Sequence, residues 1–137
     1  MTTHVNNIVT KAGQETYALK LVKSHGLSIK LLDMVTRASL LSSMTYASPA
    51  WIGFTSSEDL SRLQAPINRA HRWGLCSSSD PPLFQALCGK ADNNLFVKVT
   101  SCLGHVLHSL LPPKHQTTYN LRPRNHPYCL PVTSHSL

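Results

Sequence analysis

The sequence predicts an all-α fold: a small helical bundle made of an antiparallel helix pair plus further helices, followed by an extended C-terminal tail. Three observations carry that expectation. Apolar residues recur at three- and four-residue intervals through most of the first hundred positions, the period of one helix face. Residues that end helices, namely Gly26, Pro49, Gly74 and the Pro112-Pro113 pair, cut this pattern into helix-sized pieces. No segment alternates apolar and polar residues in the manner of a half-buried strand, and no internal repeat is present.

The first element is expected from His4 to Leu27, with Val5, Ile8, Val9, Ala12, Thr16 and Leu19 on one face. Gly26 supplies the left-handed conformation that closes a helix, and Leu27 can fold back on the last turn. Ser28 then stands as an N-cap for a second helix whose expected buried stripe is Leu31, Met34, Val35, Ala38 and Leu41. So short a turn makes the two helices antiparallel neighbours. Pro49 ends the second helix, because the residue before a proline is pushed out of the α region and proline donates no hydrogen bond. The run from Tyr46 to Phe54 becomes a structured turn with Tyr46, Pro49, Trp51, Gly53 and Phe54 as its motif, and Trp51 and Phe54 are expected to reach back into the helix pair.

A third helix is expected from Thr55, with Glu58 three residues on as in a capping box, burying Leu60, Leu63, Ile67 and Ala70 and ending at Gly74. Pro66 in its interior costs about 3 kcal/mol in a regular helix and predicts a kink or a break. After the polar linker at 77–80, Asp80-Pro81 signals another helix start, and Phe84, Leu87, Cys88, Ala91, Leu95 and Val99 mark its face, weakened by Gly89. A short helix is expected over 104–110. Pro112-Pro113 then stops regular structure, and prolines at 123, 127 and 131 predict an extended or disordered tail. The expected divisions are a helical segment over 1–76, a second over 77–111 and an extended basic tail over 112–137.

Thirteen Lys and Arg against six Asp and Glu give a formal charge of +7 on 137 residues. Such a surface attracts polyanions, and nucleic acid is the expected partner. After Asp92 the charged residues are all cationic: Lys98, Lys114, Arg122 and Arg124. Met1 leads into polar Thr2, Thr3, Asn6 and Asn7, and no apolar run approaches the roughly 20 residues a bilayer span needs. The chain is therefore expected to be intracellular, in nucleus or cytoplasm, neither secreted nor membrane-inserted. Cys76, Cys88, Cys102 and Cys129 are irregularly spaced and fit reduced thiols better than a disulfide framework.

Nucleotidyl transfer needs at least two carboxylates converging on Mg²⁺. The six acids offer no such pair, since Glu58 and Asp59 read as first-turn carboxylates at the positive end of a helix dipole, and Asp33 and Glu15 sit singly on polar faces. Cys102, His105 and His108 have the intervals of metal ligands but lack the fourth ligand of a closed zinc site, so no metal or other cofactor is expected. Neither a Gly-rich phosphate loop nor a nucleophile elbow is present. The basic residues make the stronger pattern. Arg62, Arg69 and Arg72 fall along one side of the third helix, where guanidinium forks suit phosphate, although a solvated helix face has the same spacing. Lys11, Lys20 and Lys23 decorate the first helix, and Tyr119 precedes Arg122 and Arg124 in the tail, an aromatic interleaved with arginines as in segments that stack on bases.

The Tyr46–Phe54 run resembles the segment following the polymerase palm in reverse transcriptases of non-LTR, LINE-type retrotransposons, especially the jockey and CR1-like groups. The resemblance covers almost the whole chain. It takes in Tyr17-Ala18-Leu19, His25-Gly26-Leu27, Arg62-Leu63, Arg69-Ala70, Arg72 with Gly74, Ala91-Asp92, His105-Val106-Leu107-His108 and Tyr119-Asn120-Leu121-Arg122, in that order. It implies the helical thumb and what lies beyond it, which hold the primer–template duplex, RNA/DNA or DNA, so that Arg62, Arg69 and Arg72 would face nucleic acid. It also implies that the paired catalytic aspartates and the Mg²⁺ of the parent polymerase belong to a palm encoded upstream, leaving this chain unable to polymerise alone. Pro66 departs from the family pattern and puts the arginine alignment in doubt. The first half also resembles a helical segment labelled after the N-terminal region of an AlkB-type dioxygenase homologue, but the His-x-Asp iron motif of those enzymes is absent. Two other expectations stand beside this one: a helical module that takes a protein partner in a groove around Trp51 and Phe54, and a relic of a mobile element with no selected role.

Overall fold

The structure, a computed structural model, describes residues 2–114 together with 128 and 129; the expectations for Tyr119, Arg122, Arg124 and the rest of the tail fall outside them. Among the described residues the regular structure is helical and no strand occurs. The chain divides into two units, Met1–Leu95 and Phe96–Leu137.

In the first unit, α1 (Thr2–Ser24) buries Val5, Ala12, Thr16 and Leu19, the face that the apolar spacing marks. Gly26 follows it at φ +89°, and its N–H donates to the Lys23 carbonyl (3.0 Å). The second helix, α2, runs from 29 to 45, with Ile29–Thr36 and Ser42–Thr45 α-helical and Arg37–Leu41 forming a π turn between them. Ser28 stands at its N-cap with extended backbone but makes no side-chain capping bond. α2 lies antiparallel to α1, and Ser43 donates to the Glu15 carboxylate across the seam (2.7 Å).

The buried face of α2 corrects the sequence expectation. Leu32, Thr36, Leu40 and Met44 are inside, whereas Leu31, Met34 and Val35 are exposed. Four-residue spacing drifts by about 40° per step around a 3.6-residue helix and would carry Met44 off the core side. The wider π turn at Arg37–Leu41 takes up that drift, because its i→i+5 bonds put more residues in each turn. Thr36, the polar member of the row, donates to the Leu75 carbonyl (3.2 Å).

α2 ends at Thr45, before Pro49, and Ala47 takes the left-handed conformation (φ 50°) that starts the turn. Two single 3₁₀ turns follow, Ser48–Ala50 and Ile52–Phe54. Only one of the two aromatics points inward. Trp51 is 6% exposed, meets the His4 ring edge-on (centroids 5.1 Å) and stacks on Phe84 (6.2 Å), and its Nε1–H donates to the Tyr46 carbonyl (3.1 Å). Phe54, expected to pack back, is 75% exposed, and Tyr46 is exposed as well.

α3 (Ser57–Arg72) starts one residue later than expected, since Ser56, not Thr55, is the N-cap, accepting from the Asp59 N–H (3.1 Å). The Thr55 hydroxyl instead donates to the Ile52 carbonyl (2.5 Å). The expected break at Pro66 does not occur: the helix is continuous through it. Pro66 lies on the buried stripe beside Leu63, Ile67 and Ala70, so its apolar ring gains burial that offsets the lost hydrogen bond. The end of α3 is a Schellman closure, in which Gly74 N–H donates to His71 (2.8 Å) and Leu75 N–H to Ala70 (3.0 Å), with Leu75 itself fully buried. Gly74 sits at φ +64°, and a Cβ there would meet the Lys23 ammonium at 2.7 Å. Gly74→Ala is therefore expected to lower stability by about 1–2 kcal/mol, the cost of an L side chain in left-handed backbone, read as a shifted denaturant midpoint.

α2 clasps the loop after α3 through Asp33, which accepts from Arg37 Nε (2.9 Å) and from the Ser77 N–H (3.1 Å). The Arg37 hydrogen bond, then that of Ser77, hold the Asp33 carboxyl below the ordinary aspartate value. A depressed folded-state pKa means that this contribution is present above the unfolded value and disappears as pH falls through the folded one. Asp33→Asn is expected to flatten that acid limb of the stability profile in denaturant titrations between neutral pH and the acid range. The carboxylate is near the surface, so the effect is small.

The last helix, α4 (Phe84–Ser101), begins three residues after Pro81, so Asp80-Pro81 does not start it as expected. Its first N–H, that of Phe84, is capped by Gln64 Oε1 from α3 (2.7 Å), while Gln64 Nε2 donates to the Pro82 carbonyl (3.1 Å). Phe84 and Cys88 complete the core with Trp51, Leu32, Leu63 and Ile67. Burial pushes the Cys88 thiol up, so it packs as a small apolar residue. The second unit takes the last residues of α4. Val99 is buried there and its carbonyl meets His108 Nδ1 (2.7 Å); the expected helix over 104–110 is a set of turns with one 3₁₀ turn at His108–Leu110. Phe96 meets Tyr128 edge-on (6.2 Å), beside an isolated bridge between Lys114 and Tyr128.

Candidate nucleic-acid interface

α1 and α3 lie side by side and parallel, as contacts at both ends show: Arg62 near the start of α3 donates to Asn6 near the start of α1, and Lys23 in the last turn of α1 reaches the residue after α3. Both helices therefore end at the same end of the first unit. Lys23 Nζ donates to the Trp73 carbonyl (2.5 Å), and Lys20 Nζ stands 4.7 Å from the centre of the Trp73 ring. Arg69 and Arg72 are exposed in the last turn of α3, Arg69 four residues before Trp73 and on its side of the helix, Arg72 turned about 100° from it. Four cations from two helices thus lie at one end of the unit, two of them against Trp73.

Gathering like charges costs energy, and two features lower that cost here. The carbonyl ends of α1 and α3 carry the negative poles of their dipoles, which favour cations in the last turns. The Trp73 face attracts Lys20 by its quadrupole, an interaction worth roughly 0.5–1 kcal/mol when exposed. Neither supplies a counter-charge. Among the described residues the ion pairs are Lys11–Glu15 (3.9 Å), Arg37–Asp33 (2.9 Å) and Arg62–Asp59 (3.1 Å), and none engages Lys20, Lys23, Arg69 or Arg72. These four are charged donors whose remaining valence faces water.

The other sequence candidates stand elsewhere. Arg62, which spacing groups with Arg69 and Arg72, is half-buried and holds Asp59 and Asn6, so its fork ties α3 to α1. Lys11 pairs loosely with Glu15 on α1. Arg122 and Arg124 lie outside the described residues. Of the motif residues, Trp51 is a core anchor, Pro49 and Gly53 shape the turns around it, and Tyr46 and Phe54 face solvent. Of the two residues expected to frame a groove for a protein partner, Trp51 is packed into the core and Phe54 is exposed.

Trp73 is the residue that sequence reasoning passed over. Its signal was a large aromatic between Arg72 and Gly74, three residues after Ala70, and in the structure it is half-buried, with part of its surface packed against the core. Four of the six carboxylates serve as structural groups, Asp59 on Arg62, Asp33 on Arg37 and Ser77, Glu15 on Ser43 and Glu58 in the first turn of α3, while Asp80 and Asp92 are exposed. Among the described residues no three His, Cys, Asp or Glu side chains assemble as metal ligands, and no helix is long and apolar enough to cross a membrane. Comparison of the chain with known protein families, with curated proteins and with solved structures gives no match.

Proposed function

We propose that this chain is a duplex-holding helical segment of the kind found in reverse transcriptases of non-LTR retrotransposons, a thumb-like element that grips RNA/DNA or DNA duplex through its phosphates and does not polymerise by itself. The observation that carries the reading is the convergence of Lys20, Lys23, Arg69 and Arg72 at the shared end of α1 and α3 without carboxylate partners. Guanidinium forks and ammonium groups on rigid helices position a backbone without reading its sequence. The resemblance of the ordered tripeptides to the LINE-type enzymes supplies the identity of the duplex. Mg²⁺ in such an enzyme belongs to the polymerase carboxylates and not to this segment, and the chain works inside the cell, where those templates are.

The test compares a labelled RNA/DNA hybrid, a DNA duplex and a single strand of equal length in anisotropy titrations with the full chain. Tighter binding of either duplex than of the single strand, insensitive to sequence, is the expected outcome. Equal binding of all three would leave general polyanion attraction and defeat the duplex-holding role.

A further inference from the structure

The second unit turns a group of aliphatic side chains to water. After α4 the chain coils through hydrogen bonds closed three residues apart: His105 N–H donates to the Cys102 carbonyl (3.0 Å), His108 N–H to His105 (2.8 Å) and Leu111 N–H to His108 (3.2 Å). Turns of that size bring side chains three residues apart to the same bearing. The row at His105, His108 and Leu111 is turned to the protein, since all three are half-buried and His108 Nδ1 meets the Val99 carbonyl (2.7 Å). The rows beside it, Leu103 with Val106 and Leu107 with Leu110, are turned outward. Leu103 and Val106 are each 83% exposed and Leu110 76%, so these side chains project from the surface and line no hollow.

We propose that this ridge rests on an anionic membrane surface, its aliphatic side chains entering the headgroup boundary and its lysines meeting the lipid phosphates and carboxylates. The charge selects the occupant. After Asp92 the chain has no carboxylate side chain, so the second unit carries Lys98, Lys114, Arg122 and Arg124 with nothing of opposite sign among its side chains. Lys98 and Lys114 are exposed, precede and follow the two rows in the chain, and enter none of the ion pairs of the described residues. Lys98 is also close in space, because the neighbouring Val99 carbonyl holds His108. The matching surface must present anions and an apolar layer together. A nucleic-acid backbone presents phosphate and sugar without the apolar layer. A second copy of the unit would set cation against cation. The interface of an anionic bilayer supplies both over a broad, flat area, where projecting aliphatic side chains can sink in. Resting there requires no spanning helix, and none occurs among the described residues.

The test floats the full chain with vesicles of phosphatidylcholine alone and with vesicles of phosphatidylcholine mixed with phosphatidylserine. Saturable partition to the mixed vesicles is expected, about tenfold or more above that to phosphatidylcholine alone, the mark of anionic headgroups. Leu103→Ser with Val106→Ser keeps every charge and should lower partition to the mixed vesicles by about tenfold or more, through the loss of apolar burial. Both positions are exposed, so the thermal melt of that double variant should not shift. Its affinity for a DNA duplex should also stay unchanged, which separates this inference from the proposed function. Phe54→Ala, which removes an equally exposed apolar side chain from the first unit, should float as the unaltered chain does. Absence of flotation, equal partition to the two vesicle types, or a serine variant that floats undiminished would overturn the proposal. A serine variant that loses duplex affinity would overturn it by placing the ridge on nucleic acid. So would an unaltered chain that sediments as a dimer which the serine variant dissolves, because the ridge would then belong to a second copy.

Discussion

Replacing Trp51 with alanine is expected to destabilise the chain by about 3–5 kcal/mol, the range for removing a large aromatic from a packed core. The indole is nearly sealed from solvent, wedged between His4 of α1 and Phe84 of α4, and its N–H is bonded to the Tyr46 carbonyl. The substitution removes the packing of three elements at once and leaves a carbonyl without its donor. Ala47 adds to the cost of holding that turn, since a left-handed alanine is disfavoured by roughly 1–2 kcal/mol and is tolerated because Trp51 and Ser48 are buried behind it. Phe54→Ala serves as the control, an aromatic three residues away that faces water, and should change stability by no more than about 0.5 kcal/mol. Denaturant melts of the two variants measure the contrast; equal losses would show that the turn is packed differently.

The second large effect is on binding. Arg69→Ala with Arg72→Ala should weaken duplex affinity by roughly tenfold or more, given about 1.5 kcal/mol for a hydrogen bond to a charged group at each site. Both side chains are exposed and neither holds a carboxylate, so circular dichroism and the thermal midpoint should stay where they are. Arg62→Ala is expected to do the opposite, lowering stability through the loss of Asp59 and Asn6 contacts while affecting duplex binding little. If the double variant bound duplex as tightly as the unaltered chain, the cluster at the shared end of α1 and α3 would not be the grip.

How much of this was legible in the sequence differs from helix to helix. The α1 face was readable because Val5, Ala12, Thr16 and Leu19 keep a helical period, although Tyr17, Leu21 and Val22 are exposed on its other sides. In α2 two rows compete. The row at 31, 34, 35 and 38 fits a straight helix better, while the buried row at 32, 36, 40 and 44 includes a threonine and needs a π turn to stay in line. Periodicity alone favours the wrong one, and the tertiary contact of Thr36 with Leu75 decides. The start of α3 was ambiguous by one residue because Thr55-x-x-Glu58 and Ser56-x-x-Asp59 are overlapping boxes of equal quality. The start of α4 was not readable locally at all, since its cap, Gln64, comes from another helix.

The candidate site shows the same division. Arg69 and Arg72 could be grouped from spacing, but the partners that remove Arg62 from the group lie on α1 and one turn back, and the lysines that join it come from a helix fifty residues earlier. Parallel packing of α1 on α3 is what brings these charges together, and a pattern read along one helix cannot reveal which end of its neighbour it meets.

The salt dependence of duplex affinity bears most directly on the grip. Each phosphate neutralised by a cation lowers the slope of log K against log salt by about 0.9 on B-form DNA, so four engaged cations would give a slope of roughly −3 to −4. The unaltered chain, titrated with a DNA duplex from low to physiological ionic strength, is expected to fall along such a line, and the Arg69/Arg72 double variant along one shallower by nearly two. An affinity that holds level across that range would contradict phosphate contact at the shared end of α1 and α3, and with it the proposed function.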